Sequence, residues 1–429
     1  MNVLLVHLPV RKRAEPNNIP LGVLYTAAAL KRAGIKYQVL DLNEKRWSDF
    51  LIAAFIGSGK FTHIGISAMV TQYREVERLV GIAGRSAPGV PVVVGGPVSV
   101  LGDDLVKWMP VAVWDGESEE DLNAEVLGLI GTGEQVGTSP IDVNKAPLPD
   151  WNSVNMGMYS RNPVGAPNRN KWGNGHRTKD TPLSMNMLWS RGCPRKCSFC
   201  AHNFSSSKYR KRSPESIIQE MEILWQQYDI KYFHTSDDSS MTDKAWLAEV
   251  CNLIAKHEFL KDCTWGCAGR ADECTVDTLT MMKQAGCVLV GMGVESGSQK
   301  MLDVYNKGAS VDDNVNAINA CKAVFGSADY SLMVGGPGED NDTIAETVEM
   351  CQVTKTRPEV VFMVTPYPGT DLYDMAIADG LIVDERVYVR SLGEQGEQIS
   401  CNVSGQSNEW LWDAKARIVR ETFRGGSLL

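Results

Sequence analysis

The apolar positions of this chain fall into short runs separated by longer stretches of helical spacing, and the alternation starts at the second residue. Runs at Asn2–His7, Lys36–Asp41, Thr62–Ala68, Pro91–Gly95 and Val111–Trp114 are rich in Val, Ile and Leu and have the length of buried strands. Between them, Leu21–Ala33 and Gln72–Arg85 place apolar residues three and four apart, as a helix with one buried face requires. Strand and helix in strict alternation predict an α/β fold class, here a doubly wound parallel sheet over residues 1–135, with ligands at the carboxyl ends of the strands.

The pattern then breaks. Residues 136–182 are rich in Pro, Gly and Asn without periodicity and read as a linker, although Trp and Met residues within it suggest that it lies against a domain surface. A second βα series follows, with strands expected at Ser184–Trp189, Lys231–Ser236, Thr264–Ala268, Val288–Gly293, Tyr330–Val334 and Val360–Val364. Pro214–Tyr228 reads as a helix capped by Ser213 with proline at its first position. Six such units over residues 183–374 predict a partial (β/α)6 barrel. Residues 375–429 form a C-terminal extension whose texture carries no motif and could cap a substrate pocket.

Composition narrows this picture little. The chain has 429 residues, 43% hydrophobic and 22% charged, with a net charge of −9. Without a basic stripe, nucleic acid is not an expected partner. No run approaches a membrane span, and the N-terminal apolar run is too short for a signal peptide, so the sequence reads as cytoplasmic. The eleven cysteines are more telling, because all lie at or beyond Cys193. An odd number placed this way suggests reduced thiols rather than a disulfide framework. Cys251, Cys287, Cys321 and Cys351 sit in apolar runs and read as small buried hydrophobes.

Three cysteines stand apart. Cys193, Cys197 and Cys200 form Cys-x3-Cys-x2-Cys in SRGCPRKCSFC, on the loop after the first strand of the second series. A cluster or structural zinc saturated by protein takes four ligands, so three thiolates on one loop leave an iron open for something else. Arg191, Arg195 and Lys196 beside them favour thiolate and an anionic cluster. A zinc ion with His202 as fourth ligand is the plainer alternative. This loop resembles the signature of the radical S-adenosylmethionine (SAM) superfamily. The resemblance implies a 4Fe-4S cluster whose open iron chelates the amino and carboxylate groups of SAM, and one-electron reduction that releases a 5′-deoxyadenosyl radical. It also implies an electron donor such as flavodoxin or ferredoxin.

Each expected strand of the second series ends in polar or Gly-rich residues. By matching segments of the superfamily, Asp237 is expected near the SAM amino group, Arg270 on its carboxylate, and Glu295 and Ser296 near the ribose. Gly335 and Gly336 would let backbone approach adenine, with Phe199 packed beside it. Taken singly, each has a plain structural reading, such as a solvated Asp-Asp turn or a loop phenylalanine filling the core. Cys263, Cys267 and Cys274 could hold a second cluster, but a strand separates Cys263 from Cys267 by about 13 Å.

In the first series, Gly22, Ser67, Gly95 and Gly96 stand at strand ends or helix starts, and Glu117 follows the fifth strand. Small residues there leave a groove for a flat ligand. PLGVLYTAAALKRAG, DLN, VVVGGP and DGESEEDL together resemble the Rossmann-like cobalamin-binding domain of cobalamin-dependent radical SAM enzymes. The histidine motif that ligates cobalt in many cobalamin domains is absent; His7 alone stands near, at a strand end. The resemblance implies cobalamin as a further cofactor and a methyltransferase acting on an unactivated carbon of a small-molecule or peptide-like substrate. Alternatives are a cyclase or rearrangement enzyme with the same cofactors, a cobalamin-like domain that has lost its cofactor, and a sensor without turnover. The methylthiotransferase plan is disfavoured, since it needs cysteines before Cys193.

Overall fold

The computed structural model describes residues 1–11, 15–119, 122–123, 127–128, 135–137, 140–161, 182–201, 208–393 and 398–422. The chain divides into two compact units. Among the described residues, unit one holds 1–161, 208–210 and 384–393, and unit two the remainder.

Unit one runs β1 (Asn2–His7), α1 (Leu21–Arg32), β2 (Lys36–Asp41), α2 (Asp49–Ser58), β3 (His63–Ser67), α3 (Tyr73–Ser86), β4 (Val92–Gly95), α4 (Gly102–Trp108), β5 (Ala112–Asp115) and β6 (Gln135–Gly137). The sheet order is β2-β1-β3-β4-β5-β6, with every pairing parallel. The chain therefore reverses its winding direction between β1 and β3, which puts the switch point of the doubly wound sheet at His7 and Ser67. Val3 and Leu5 of β1, Val93 of β4 and Trp114 of β5 join the buried α1 residues Val23, Ala27 and Leu30 in one core cluster. β6 has no counterpart in the sequence reading, because its run is too short to show a period.

The segment expected to be a linker is in part docked onto unit one. Trp151, Met156 and Tyr159 are buried. Asp150 takes a hydrogen bond from the Tyr37 hydroxyl and an ion pair from Lys31 at 3.1 Å. Tyr159 Oη donates to Asp41 Oδ2 at 2.6 Å, and Asp41 also caps the turn at Asn43 and Glu44. Burial raises the Asp41 carboxyl above its ordinary range even so. Unit one thus reaches past residue 135 because its polar groups need partners that lie near 150 and 159. The expected extension is also divided. The helix Glu385–Ser391 belongs to unit one, where Arg386 and Arg390 pair with Glu77 of α3 at 2.9 and 2.7 Å.

Unit two runs β7 (Leu183–Met187), α5 (Pro214–Tyr228), β8 (Ile230–Thr235), α6 (Lys244–Lys256), β9 (Thr264–Arg270), α7 (Val276–Gln284), β10 (Cys287–Glu295), α8 (Val311–Phe325), β11 (Asp329–Val334), α9 (Asn341–Val353), β12 (Val360–Met363) and α10 (Asn408–Thr422). Its six strands pair in sequence order and in parallel, the half-barrel that six βα units predict. Strands β9 and β10 run further than their apolar runs suggested. Gly-rich ends have low strand propensity, yet the ladder persists through Arg270↔Gly293 and breaks register only between Gly293 and Glu295. Both expected caps of α5 are present, with Ser213 accepting from Ser216 N and Pro214 in the first turn.

A buried ion pair anchors α5. Arg212 pairs with Glu220, and also donates to the Leu188 and Ser216 carbonyls at 2.9 Å. The side chains are 6% and 0% exposed. Glu220→Ala is therefore expected to lower stability by about 3–5 kcal/mol, because it strands a guanidinium charge away from water. A urea titration of the full chain checks this, and an unchanged midpoint contradicts it.

Candidate functional site

The cysteine loop leaves β7 through Trp189 and Ser190, and the end of β8 holds that exit. Asp237 accepts from Trp189 N at 2.8 Å through one oxygen, and from Ser190 N at 2.9 Å and Ser190 Oγ at 2.8 Å through the other. Asp238 takes Gly192 N at 2.8 Å, and Gly192 has a φ of 81°, which suits glycine. Burial pushes the Asp237 carboxyl up to about 7 despite these donors. The expectation that Asp237 meets an amino group is corrected accordingly. Both of its oxygens are committed to loop backbone, so it shapes the site from behind.

Further along, Ser198 is held from three sides. Its N donates to the Tyr305 carbonyl at 2.9 Å, its Oγ to the Val304 carbonyl at 3.0 Å, and its own carbonyl accepts Leu372 N at 3.1 Å. Asn306, at a φ of 46°, reaches Lys196 O at 2.6 Å. Phe199 lies edge-on to Tyr305 with ring centroids 5.6 Å apart, and Lys307 Nζ stands 5.9 Å from the Phe199 ring. The same Lys307 pairs with Glu295 at 2.8 Å in a buried setting. Residues 304–307 therefore form a cradle for the cysteine loop. Sequence reasoning missed it; the only signal was a turn-forming Asn-Lys-Gly after a short apolar run.

The remaining expected contacts divide. Gly336 lies against Tyr305, since a Cβ there would come 2.4 Å from Tyr305 Oη and 2.6 Å from Met301 Cε. Gly335 has a φ of 104°, and its N donates to Glu339. Phe199, Glu295 and Gly336 are thus brought together around Tyr305 and Lys307. Arg270 joins them from β9, with its guanidinium on Asp272, the Lys307 carbonyl and Cys197. Ser296 does not join them. Its hydroxyl contacts Thr347 Oγ1 at 3.1 Å and accepts Ser298 N at 3.1 Å, so it ties β10 to α9 rather than facing a ribose.

Three thiols on one loop, with a guanidinium 3.7 Å from Cys197 Sγ, are a donor set that suits an anionic iron–sulfur cluster. Among the described residues no three His, Cys, Asp or Glu side chains gather closely enough to hold a single metal ion. A cube that takes one thiolate at each of three corners does not need such convergence. His202 of the zinc alternative lies outside the described residues.

In unit one the carboxyl ends of three strands stand in register, His7 beside Ser67 and Ser67 beside Gly95. A Cβ on Gly22 would lie 3.8 Å from Ser67 Oγ, and one on Gly96 would lie 3.1 Å from the same oxygen and 3.0 Å from Ala68 O. These four expected residues therefore form one notch around a serine hydroxyl, open because glycine lines it. Beside it, His7 is 8% exposed and its Nε2 has no partner. Burial, helped by Arg46, brings its imidazole down to about 3, so it is neutral at physiological pH. A glycine-lined notch and an unpaired neutral imidazole fit a large polar cofactor. Glu117 is corrected. Its carboxylate pairs with Arg210 and accepts Ile141 N at 3.1 Å, so it fastens the chain after the sheet.

Two expectations follow. Glu339, 1% exposed, is pushed up to about 7 by burial from an ordinary 4.5, so the fold favours its protonated form. The stability this confers is present below about pH 4.5 and lost as pH rises to about 7. Glu339→Gln should therefore gain stability relative to wild type across that window and hold its gain above it; a constant difference in paired urea titrations contradicts this. Gly96→Ala, at a φ of 81°, should cost about 1–3 kcal/mol and lower the melting temperature.

Comparison with known proteins meets this geometry. The B12 binding domain model matches residues 8–124, and the radical SAM superfamily model matches residues 187–351. An uncharacterized methyltransferase of Pyrococcus horikoshii is 26% identical over 411 residues, covering 89% of this chain and 84% of its own. An anaerobic magnesium-protoporphyrin IX monomethyl ester cyclase of Rubrivivax gelatinosus is 25% identical, covering 82% of this chain and 65% of its own length. The radical SAM methyltransferase TsrM from Kitasatospora setae, solved with cobalamin and a 4Fe-4S cluster bound, shares the fold with a TM-score of 0.68 at 18% identity, over 89% of this chain and 78% of its own. A B12 binding domain followed by a radical SAM half-barrel, with the three-cysteine loop at the expected strand end, makes this chain a member of the cobalamin-dependent radical SAM enzymes.

Proposed function

We propose that this protein is a cobalamin-dependent radical SAM methyltransferase that acts on an unactivated carbon of a small-molecule or peptide-like substrate. The observation that carries this reading is the pairing, in one chain, of a three-thiol loop with a glycine-lined notch in a B12 binding domain. When bound, the cluster with SAM supplies a hydrogen-abstracting radical and cobalamin supplies the methyl group.

The chain's own residues then have separable tasks. Cys193, Cys197 and Cys200 would hold the cluster. Asp237, Asp238 and residues 304–307 fix the loop that carries them, so the thiolates are placed before any ligand arrives. Glu295, oriented by Lys307, offers a carboxylate for a ribose hydroxyl. Gly335 and Gly336 let backbone approach adenine, with Phe199 as a wall. Gly22, Ser67, Gly95 and Gly96 would receive part of the cobalamin.

The electron would come from a flavodoxin- or ferredoxin-type donor. Eleven free cysteines agree with a reducing cytoplasm, and among the described residues no helix is long and apolar enough to cross a membrane. A second reading is favoured by the similarity to the anaerobic cyclase, namely ring closure with the same cofactors and no methyl transfer.

Anaerobically reconstituted protein is expected to hold about four irons and to cleave SAM under reductant. Cys197→Ala should lose that cleavage, and a variant that retains it overturns the cluster assignment. With substrate and SAM bearing a deuterated methyl group, a product carrying that label supports methylation, whereas an unlabelled, dehydrogenated or cyclised product establishes the cyclase reading instead.

A further inference from the structure

Arg270, which ends β9, is aimed at the cysteine loop. Its Nη1 lies 3.7 Å from Cys197 Sγ, within hydrogen-bond reach of a sulfur acceptor. The other two contacts hold that aim. Nε donates to Asp272 Oδ1 at 2.9 Å, and Nη2 donates to the Lys307 carbonyl. The second oxygen of Asp272 takes Arg195 Nη2 at 3.0 Å, and Arg195 belongs to the cysteine loop itself. A guanidinium 9% exposed and fastened on three sides cannot swing toward a newcomer without breaking a buried ion pair.

We propose that Arg270 is a positioning residue that sets the reduction potential of the cluster through the Cys197 sulfur. This rests on the reading that the three cysteines hold a 4Fe-4S cluster. The guanidinium stays charged at any working pH. A cationic donor on a ligand sulfur draws charge from the thiolate and stabilises the more negative, reduced cluster, as hydrogen bonds to cluster sulfurs generally do. The potential is thereby raised toward what a protein donor can supply. Asp272 offsets part of the charge, so the directed N–H···S contact carries the effect along with the net charge. The expectation that Arg270 serves the SAM carboxylate gives way here, because Nη1 already points at sulfur in the folded chain.

An EPR-monitored redox titration of the reconstituted full chain, without SAM, tests this. Arg270→Gln is expected to load iron as wild type does and to show a more negative midpoint potential. Arg270→Lys keeps the charge but cannot hold Asp272 and reach the sulfur at once, so its midpoint should fall between the two. If Arg270→Gln takes up no iron, the comparison passes to Arg270→Lys, where equality with wild type overturns the proposal. An unchanged potential in Arg270→Gln with weakened SAM binding by calorimetry also overturns it and returns the arginine to the carboxylate. Wild-type protein that forms no 4Fe-4S signal refutes the cluster reading itself, an outcome distinct from either.

Discussion

A carboxylate withdrawn from water sits behind the cysteine loop, and the geometry of unit two follows from it. Asp237 has given up hydration, and burial lifts its proton affinity to about 7. Two backbone amides and a hydroxyl return what water supplied. Because those donors belong to residues 189 and 190, the loop can leave β7 in one direction only. Asp238 fixes the next amide at Gly192. The paired acids at the end of β8 thus act on backbone before any cofactor is considered, and removing them would loosen the thiols without touching them.

The opposite side of the loop is fastened by different chemistry. Val304 and Tyr305 offer carbonyls, Asn306 an amide side chain, and Arg195 and Arg270 meet on the two oxygens of Asp272. Such a network is worth more together than as separate contacts, since each member orients the next. It also explains why glycine is needed at 336: Tyr305 has to stand close beneath the β11 loop to present its carbonyl to Ser198.

The sheet orders and the place of the cysteine loop were legible in the sequence because buried parallel strands are near-continuous apolar runs and thiolate spacing is chemically narrow. The strand-end notch was legible as well, since Gly22, Ser67, Gly95 and Gly96 are small for a common reason. Individual side-chain roles were less so. Asp237, Ser296 and Glu117 are polar residues at strand ends, as ligand contacts are, yet each is satisfied by its own fold through partners that no local pattern reveals, Ser190, Thr347 and Arg210 among them. The cradle at 304–307 was hidden for the complementary reason. It acts mainly through main-chain carbonyls, which every residue possesses, so composition leaves no trace of it.

The membership of the helix Glu385–Ser391 in unit one bears on inheritance. That unit draws its residues from both ends of the gene, with Glu77 of α3 answering Arg386 and Arg390 more than three hundred positions away. A single crossover between the two coding halves would therefore separate α3 from its counterions. The module can be exchanged intact only by two breakpoints, or by carrying the whole chain. Descent by point substitution within an undivided chain is the easier route for such an architecture, and diversification of its chemistry is then confined to residues that neither unit needs in order to stand.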